Sequence, residues 1–168
     1  IFWATASYGQ GLTATVIQLA RGYAAIANGG TLVTPHVVEE IRHPDGTIEV
    51  PEHGTSEKVL SPRAAQQTAA MLVSVIENGH AHTAGVPGYL VAGKTGTAQV
   101  ADNTTGGYLE DQTIASFVGF APMQDPAFVM AIRIDYPKTS PWASDTAAPT
   151  FGRIADQLLH YYRVAPSR

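Results

Sequence analysis

The sequence contains no cysteine, so disulfide bonds, cysteine-ligated zinc and thiol catalysis are all excluded. It also lacks any run approaching the ~18 consecutive apolar residues of a membrane-spanning helix. Ten basic residues against fourteen acidic ones give a net charge of −4, which predicts no nucleic-acid partner. The chain has 168 residues, of which 45% are apolar. This length and apolar fraction predict a single domain over residues 1–168 with a sizeable core.

Three segments have the apolar spacing and the end signals of α-helices. Residues 15–28 start with a capping box formed by Thr15 and Gln18 and stop at a glycine. Residues 61–78 start with a Ser-Pro pair, which is typical of an N-cap and first helical residue. The last helix is expected to start at Pro149. Its predicted buried stripe consists of Phe151, Ile154, Ala155, Leu158 and Tyr162.

Three segments have the pattern of extended strands, namely residues 89–100, 113–120 and 127–135. The short connection at 121–126 predicts antiparallel pairing of the last two, and 106–108 is expected to lie in a longer, mobile loop. A small hairpin is predicted around the turn 43–46, followed by an exposed loop at 51–57. The predicted fold class is therefore α/β in the α+β sense, with an antiparallel sheet and flanking helices.

The most informative segment is the pentapeptide Gly93-Lys94-Thr95-Gly96-Thr97, which places an ammonium, two hydroxyls and two glycines in an otherwise apolar strand. In extended geometry Thr95 and Thr97 share one face, and Lys94 shares the other with Gly96. Beside a cleft, the hydroxyls can bind an anionic group and the backbone can accept an added strand. An edge strand with a protective lysine and solubilising threonines is the alternative interpretation of these residues.

Lys94-Thr95-Gly96-Thr97, followed by Ala98-Gln99, resembles the lysine-threonine-glycine motif of penicillin-binding proteins and serine β-lactamases. Further blocks resemble the class B, monofunctional penicillin-binding proteins more narrowly, and they occur in that family's order. These blocks are residues 6–11, 17–30, 106–108, 115–122 and 147–149. The chain is therefore identified as a member of this family, similar to the C-terminal part of its transpeptidase domain.

The resemblance implies the fold that these proteins share with serine β-lactamases. It also implies a D,D-transpeptidase that cross-links peptidoglycan through an acyl-enzyme and is inhibited by β-lactams. Lys94 is implied to be catalytic, supplying positive charge to the cleft and helping the proton shuttle. Thr95, Gly96 and Thr97 are implied to bind substrate, with both hydroxyls holding its terminal carboxylate. The backbone N–H of Thr97 is implied to form half of the oxyanion hole.

No cofactor and no metal is expected from the resemblance. The implied partners are peptidoglycan stem peptides ending in D-Ala-D-Ala, β-lactam antibiotics, the N-terminal part of the same protein, and divisome or elongasome proteins. The implied location is the extracytoplasmic (periplasmic) face of the bacterial cell membrane. Its anchor is expected in a segment outside this chain.

The sequence departs from the family pattern because it contains neither a Ser-x-x-Lys nor a Ser-x-Asn motif, so the nucleophilic serine is absent from this chain. In the family both motifs precede the block at residues 6–11. Because the first residue is Ile1 rather than methionine, we expect a segment of a longer protein, inactive by itself. A second departure is the stretch 140–146, where the family often has a Tyr-Gly-Gly pattern.

Two other functions stay open at this point. One is a serine β-lactamase or β-lactam sensor with the same strand motif, and the other is a non-catalytic module that binds cell-wall peptide or a divisome partner.

The remaining polar and aromatic residues of the sequence have simpler structural interpretations. We expect a solvated loop at His80 and His82 rather than a metal site, and a solvated acidic loop at Asp102, Glu110 and Asp111. We also expect a cleft-shaping turn at 8–11. Trp142 is expected to cap the core rather than to line the rim of the cleft.

Overall fold

A computed structural model of the chain describes residues 2–7, 9–102, 104 and 106–168. The elements occur in the order α1 (Phe2–Ala6), α2 (Val16–Ala27), β1 (Thr31–Leu32), β2 (Ile41–Arg42), β3 (Ile48–Glu49), β4 (Glu57–Lys58), α3 (Pro62–Glu77), β5 (Ala92–Ala101), β6 (Tyr108–Ala121), β7 (Phe128–Asp135) and α4 (Ala147–Tyr161). A short 3-10 turn, His82–Ala84, follows α3. Within this described part, every helix is too short or too polar to cross a membrane.

The main sheet is antiparallel, as predicted, and has the strand order β5-β6-β7. Alternate residues of β6 face opposite sides of this sheet. On one side Phe117 packs against Phe151 of α4, with ring centroids 4.6 Å apart. On the other side Phe120 is buried in a cluster with Ala69 of α3. Tyr23 of α2 packs against this cluster, and burial raises the pKa of the Tyr23 phenol. Helices therefore cover both faces, and the β5 edge carries the pentapeptide.

The first two predicted helices are confirmed, including their end signals. Thr15 caps α2 through the predicted capping box: its hydroxyl accepts the N–H of Gln18 at 3.2 Å, and the Gln18 side chain accepts the N–H of Thr15 at 2.8 Å. Ser61 caps α3, with Pro62 as the first helical residue. These contacts satisfy N–H groups that a helix start leaves without partners.

Replacing Ser61 with alanine should lower the free energy of unfolding by about 1 kcal/mol. The reason is that Ser61 Oγ accepts the N–H of Ala64 at 3.1 Å, and alanine offers no acceptor there. Denaturant unfolding of the full-length protein measures the loss. Ser61→Asp restores an acceptor and should recover most of the stability. An equal loss in both variants would rule out the cap as the cause.

The third predicted helix is confirmed, but its start and its buried stripe differ from the prediction. It begins at Ala147, two residues before Pro149, because proline is tolerated anywhere in a first turn that needs no N–H donor. Phe151 and Ala155 are buried as predicted, whereas Ile154 and Tyr162 are exposed. Leu159 is fully buried and takes the core position expected of Leu158, which is only partly buried.

The small hairpin is confirmed, with β2 paired to β3 around the turn 43–46. Within that turn, hydrogen bonds from the hydroxyl and then the N–H of Thr47 lower the pKa of the Asp45 carboxyl. The prediction of a loop through residue 57 is wrong at its end, because Glu57 and Lys58 form β4 and pair with β1. Two-residue strands carry no readable periodicity, which is why their pairing was missed.

The connection between β5 and β6 is shorter than predicted. Tyr108, expected in a loop, is the first residue of β6 and pairs with Ala101. The turn closes through two hydrogen bonds, from the N–H of Asp102 to the carbonyl of Gly107 and from the N–H of Gly106 to the carbonyl of Asp102. The sheet therefore extends beyond the pentapeptide. Its β5–β6 register shifts between Gln99 and Ala101.

Candidate functional site

The pentapeptide lies on β5, the terminal strand of the sheet, and continues its regular antiparallel pairing with β6. Lys94 and Gly96 are exposed, while Thr95 and Thr97 are half-buried on the opposite face. The Lys94 ammonium donates to the carbonyl of Thr95 at 3.0 Å and lies 3.4 Å from the Thr95 hydroxyl. A positive charge therefore sits next to a hydroxyl donor, which is a favourable pairing for a carboxylate.

The two glycines of the pentapeptide lie close to side chains of β6. A Cβ at Gly93 would overlap the ring of Phe117, which is fully buried. A Cβ at Gly96 would lie 2.6 Å from Ser116 Oγ, and this hydroxyl donates to the Gly96 carbonyl at 3.2 Å. Gly93 thus lets β5 approach β6 closely, whereas at Gly96 a Cβ would displace only the Ser116 hydroxyl.

Thr97 joins the strand to the loop that precedes α4. Its Oγ1 accepts a hydrogen bond from the backbone N–H of Ala143 at 3.1 Å. Thr113 of β6 makes a second connection, since its hydroxyl donates to the carbonyl of Pro141 at 3.0 Å. The loop is therefore held against the same face of the sheet that carries the two threonines of the motif.

A pocket of about 380 Å³ opens beside Thr97 on this face. Its lining consists of Gln10, Thr97, Gln99, Leu109, Gln112, Thr113, Pro141 and Trp142. Trp142 is 61% exposed, so the prediction that it caps the core is wrong. It forms the rim of the pocket because the hydrogen bonds of Pro141 and Ala143 to the sheet turn the intervening residue outward.

Several residues of this pocket were not singled out from the sequence. Gln99 could have been found, because it lies two positions after Thr97 on the same strand face. Thr113 was not predictable in this role, since its place beside Gln99 follows from the β5–β6 register. Gln10 belongs to the predicted cleft-shaping turn and does line the pocket; Tyr8 of that turn lies outside the described residues.

The remaining candidates do not join this site. His80 and His82 are exposed, and no group of three or more His, Cys, Asp or Glu side chains able to hold a metal occurs in the described residues. The prediction that Glu110 and Asp111 lie in a loop is wrong, because both belong to β6, whereas Asp102 does lie in the turn between β5 and β6. The side chains of Glu110 and Asp111 lie outside the described part of the chain.

The penicillin binding protein transpeptidase domain model matches residues 1–156 of the chain. The chain is 37% identical to penicillin-binding protein PbpB of Mycolicibacterium smegmatis, covering 93% of the chain and 26% of that protein. It is 38% identical to stage V sporulation protein D of Bacillus subtilis, covering 98% of the chain and 26% of that protein. The chain thus spans about a quarter of the length of these relatives.

Solved structures give the same result for the fold. Penicillin-binding protein 3 of Mycobacterium tuberculosis, complexed with aztreonam, matches with a TM-score of 0.90 at 35% identity, covering 99% of this chain and 39% of that one. The same protein complexed with ampicillin matches with a TM-score of 0.87 at 36% identity, covering 95% of this chain and 37% of that one. The predicted fold and class B resemblance are confirmed, and the chain belongs to the penicillin-binding protein transpeptidase family.

Proposed function

We propose that this chain supplies the substrate-holding strand of a peptidoglycan D,D-transpeptidase that builds the bacterial cell wall. The observation that carries the proposal is the Lys94-to-Thr97 motif on an exposed sheet edge, with its ammonium beside a threonine hydroxyl. Relatives support the reaction class. A protein of Mesostigma viride, 33% identical over 98% of this chain and 30% of that protein, is named a peptidoglycan D,D-transpeptidase FtsI homolog.

Each residue of the motif has a role in this proposal. Thr95 and Thr97 donate their hydroxyl hydrogens to the terminal carboxylate of a D-Ala-D-Ala stem peptide or of a β-lactam. Gly96 has no side chain, so the ligand can approach the backbone of the strand. Lys94 supplies positive charge and helps to orient the proton shuttle. The N–H of Thr97 donates to the scissile carbonyl oxygen, a contact worth about 3 kcal/mol in the transition state.

The contacts at Thr97 set the direction in which the substrate lies. The carboxylate-bearing D-alanine is the leaving group and lies at Thr95 and Thr97. The rest of the acyl donor lies on the side of the scissile carbonyl opposite the leaving D-alanine. It therefore extends along β5 from Thr97 towards Gln99. There it meets the pocket rimmed by Trp142, which has room for the side group of the acyl donor.

The nucleophile in this mechanism is a serine of a Ser-x-x-Lys motif, which lies outside these 168 residues. The serine oxygen bonds to the carbonyl carbon, the amide C–N bond breaks, and the serine proton passes to the leaving D-alanine nitrogen. An amine of a neighbouring stem peptide then attacks the ester, loses a proton and releases the serine. A β-lactam acylates the same serine, but its amine stays attached and blocks the second step.

The remaining elements of the proposal follow from this substrate. Peptidoglycan is assembled outside the cytoplasmic membrane, so we propose an extracytoplasmic (periplasmic) location and a membrane anchor in another part of the protein. The partners are the N-terminal part of the same protein, which carries the serine, and divisome or elongasome proteins that bring it to growing wall. The chain alone, lacking the serine, is proposed to be inactive.

Labelling with fluorescent penicillin tests the proposal on the full-length protein encoded by the gene that contains this chain. We expect one covalent adduct, and peptide mapping should place it on a serine outside these residues. The 168-residue chain alone should gain no penicilloyl mass. A full-length protein that acquires no label would contradict the proposal and favour a non-catalytic binding module. Rapid release of hydrolysed drug would instead identify a β-lactamase.

A further inference from the structure

We propose that Asp145 is a positioning residue that holds Trp142 and Ala143 against the motif strand and thereby sets which acyl side groups the site accepts. This inference rests on the proposed function and concerns the stretch 140–146, where the sequence departs from the family pattern. Asp145 is exposed and does not line the pocket beside Thr97, so it acts through its neighbours.

Asp145 is the acceptor at the end of a short hydrogen-bond chain. The backbone N–H of Trp142 donates to Ser140 Oγ at 3.2 Å, and Ser140 Oγ donates to Asp145 Oδ2 at 2.7 Å. Accepting and donating at once fixes the rotor of the Ser140 hydroxyl. A carboxylate at the end of such a chain strengthens both bonds, since charge-assisted hydrogen bonds are the stronger kind.

Asp145 also closes the loop from its other side. The hydroxyl of Ser144 donates to Asp145 Oδ1 at 3.1 Å, and the N–H of Asp145 donates to the carbonyl of Trp142 at 3.2 Å. Both carboxylate oxygens are therefore bound within the loop. Asp145 thus connects the residues on either side of Trp142, and the backbone of Trp142 is held at both its N–H and its carbonyl.

The held segment is the one that contacts the motif strand. Ala143, directly after Trp142, donates its N–H to Thr97 Oγ1 and is 1% exposed. A hydroxyl that accepts this bond directs its own hydrogen elsewhere, and the proposed carboxylate is its natural acceptor. Loosening the loop therefore changes two things: the position of the Trp142 rim and the direction in which the Thr97 hydroxyl donates.

These two consequences predict an effect that depends on the ligand. A β-lactam with an acyl side group uses the pocket beside Trp142 and also the Thr97 hydroxyl. One without such a group uses the Thr97 hydroxyl but not the rim. Loss of the Asp145 carboxylate should therefore slow acylation by the first kind of ligand more than acylation by the second. Uniform destabilisation of the domain would slow both to the same extent.

The test compares two penicillins on the full-length protein: ampicillin, and 6-aminopenicillanic acid, which has no acyl side group. For Asp145→Ala we expect the second-order acylation constant of ampicillin to fall about tenfold, the size of one lost charge-assisted hydrogen bond. The constant for 6-aminopenicillanic acid should fall roughly threefold or less, because only the Thr97 contact is affected. Ser140→Ala should reproduce this pattern, because it breaks the same chain.

Two further variants complete the experiment. Asp145→Asn keeps one carbonyl oxygen for the Ser140 hydroxyl and should recover much of the ampicillin rate. Asp125→Asn changes another exposed acid, in the turn between β6 and β7, and should leave both constants at wild-type values. Thermal unfolding shows which variants are folded. If Asp145→Ala is not folded, Ser140→Ala still tests the inference, because it breaks the same hydrogen-bond chain.

The outcomes separate this inference from the proposed function. If the wild-type protein reacts with both penicillins but the folded alanine variants of Asp145 and Ser140 keep the wild-type ratio of constants, the positioning role is wrong and the transpeptidase proposal stands. If the wild-type protein reacts with neither penicillin, both are wrong. A selective loss for ampicillin that Asp145→Asn partly restores supports the inference.

Discussion

Replacing Lys94 with alanine in the full-length protein should lower the second-order rate constant for acylation by fluorescent penicillin about 10²- to 10³-fold. The ammonium lies 3.4 Å from the Thr95 hydroxyl, so its loss removes a positive charge next to the proposed carboxylate site. Time courses of labelling at several penicillin concentrations measure the constant. Lys94 is exposed and its ammonium contacts the neighbouring Thr95, so we expect folding to be unaffected.

Lys138→Ala is the matched control for Lys94→Ala. Lys138 is also an exposed lysine, and it lies after β7, away from the motif strand. We expect its acylation constant to stay within about twofold of wild type, as expected for screened surface charges. If both variants lose the same activity, net charge rather than the motif lysine is responsible. If neither loses activity, the proposed role of Lys94 is wrong.

Replacing Phe117 with alanine should lower the free energy of unfolding by about 3–5 kcal/mol. Phe117 is fully buried between the sheet and α4, where it packs against Phe151, and its ring also fills the space above Gly93. Truncation leaves a cavity under the first residue of the pentapeptide. Denaturant unfolding of the full-length protein gives the value, and penicillin labelling should fall with it because the motif strand loses its support.

Two variants calibrate the Phe117 result. Phe117→Leu retains most of the buried volume and should cost clearly less than the alanine variant. Phe128→Ala removes the same side chain from a partly buried position at the margin of the same cluster, so it should also cost less. A Phe117→Ala loss no larger than that of Phe128→Ala would contradict the assignment of Phe117 to the centre of the core.

The sequence predicts the elements whose signals are local and repeated. The capping box at Thr15 and the Ser61-Pro62 start fixed the ends of two helices, because capping chemistry lies within four residues. The alternation of residues 127–135 and the short connection before it identified β7 and its antiparallel pairing to β6. The pentapeptide at residues 93–97 stood out because its lysine and threonines interrupt an otherwise apolar strand sequence.

The errors occurred where tertiary packing decides. Leu158 and Leu159 are adjacent leucines, and the packing of α4 against the sheet buries Leu159 while Leu158 stays partly buried. Trp142 was expected to cap the core because large aromatic residues usually bury their area. It lies at a pocket rim instead, since hydrogen bonds from neighbouring residues to Thr97 and Thr113 fix its backbone. Such long-range contacts leave no local pattern.

The central claim is that the edge of β5 grips the carboxylate of the ligand, and a crystal structure of the full-length protein acylated by ampicillin tests it most directly. We predict the carboxylate oxygens at about 2.5–2.8 Å from the hydroxyl oxygens of Thr95 and Thr97. The acyl carbonyl oxygen should accept the N–H of Thr97, with the side group in the pocket beside Trp142. A covalent adduct whose carboxylate lies away from both threonines would contradict the claim.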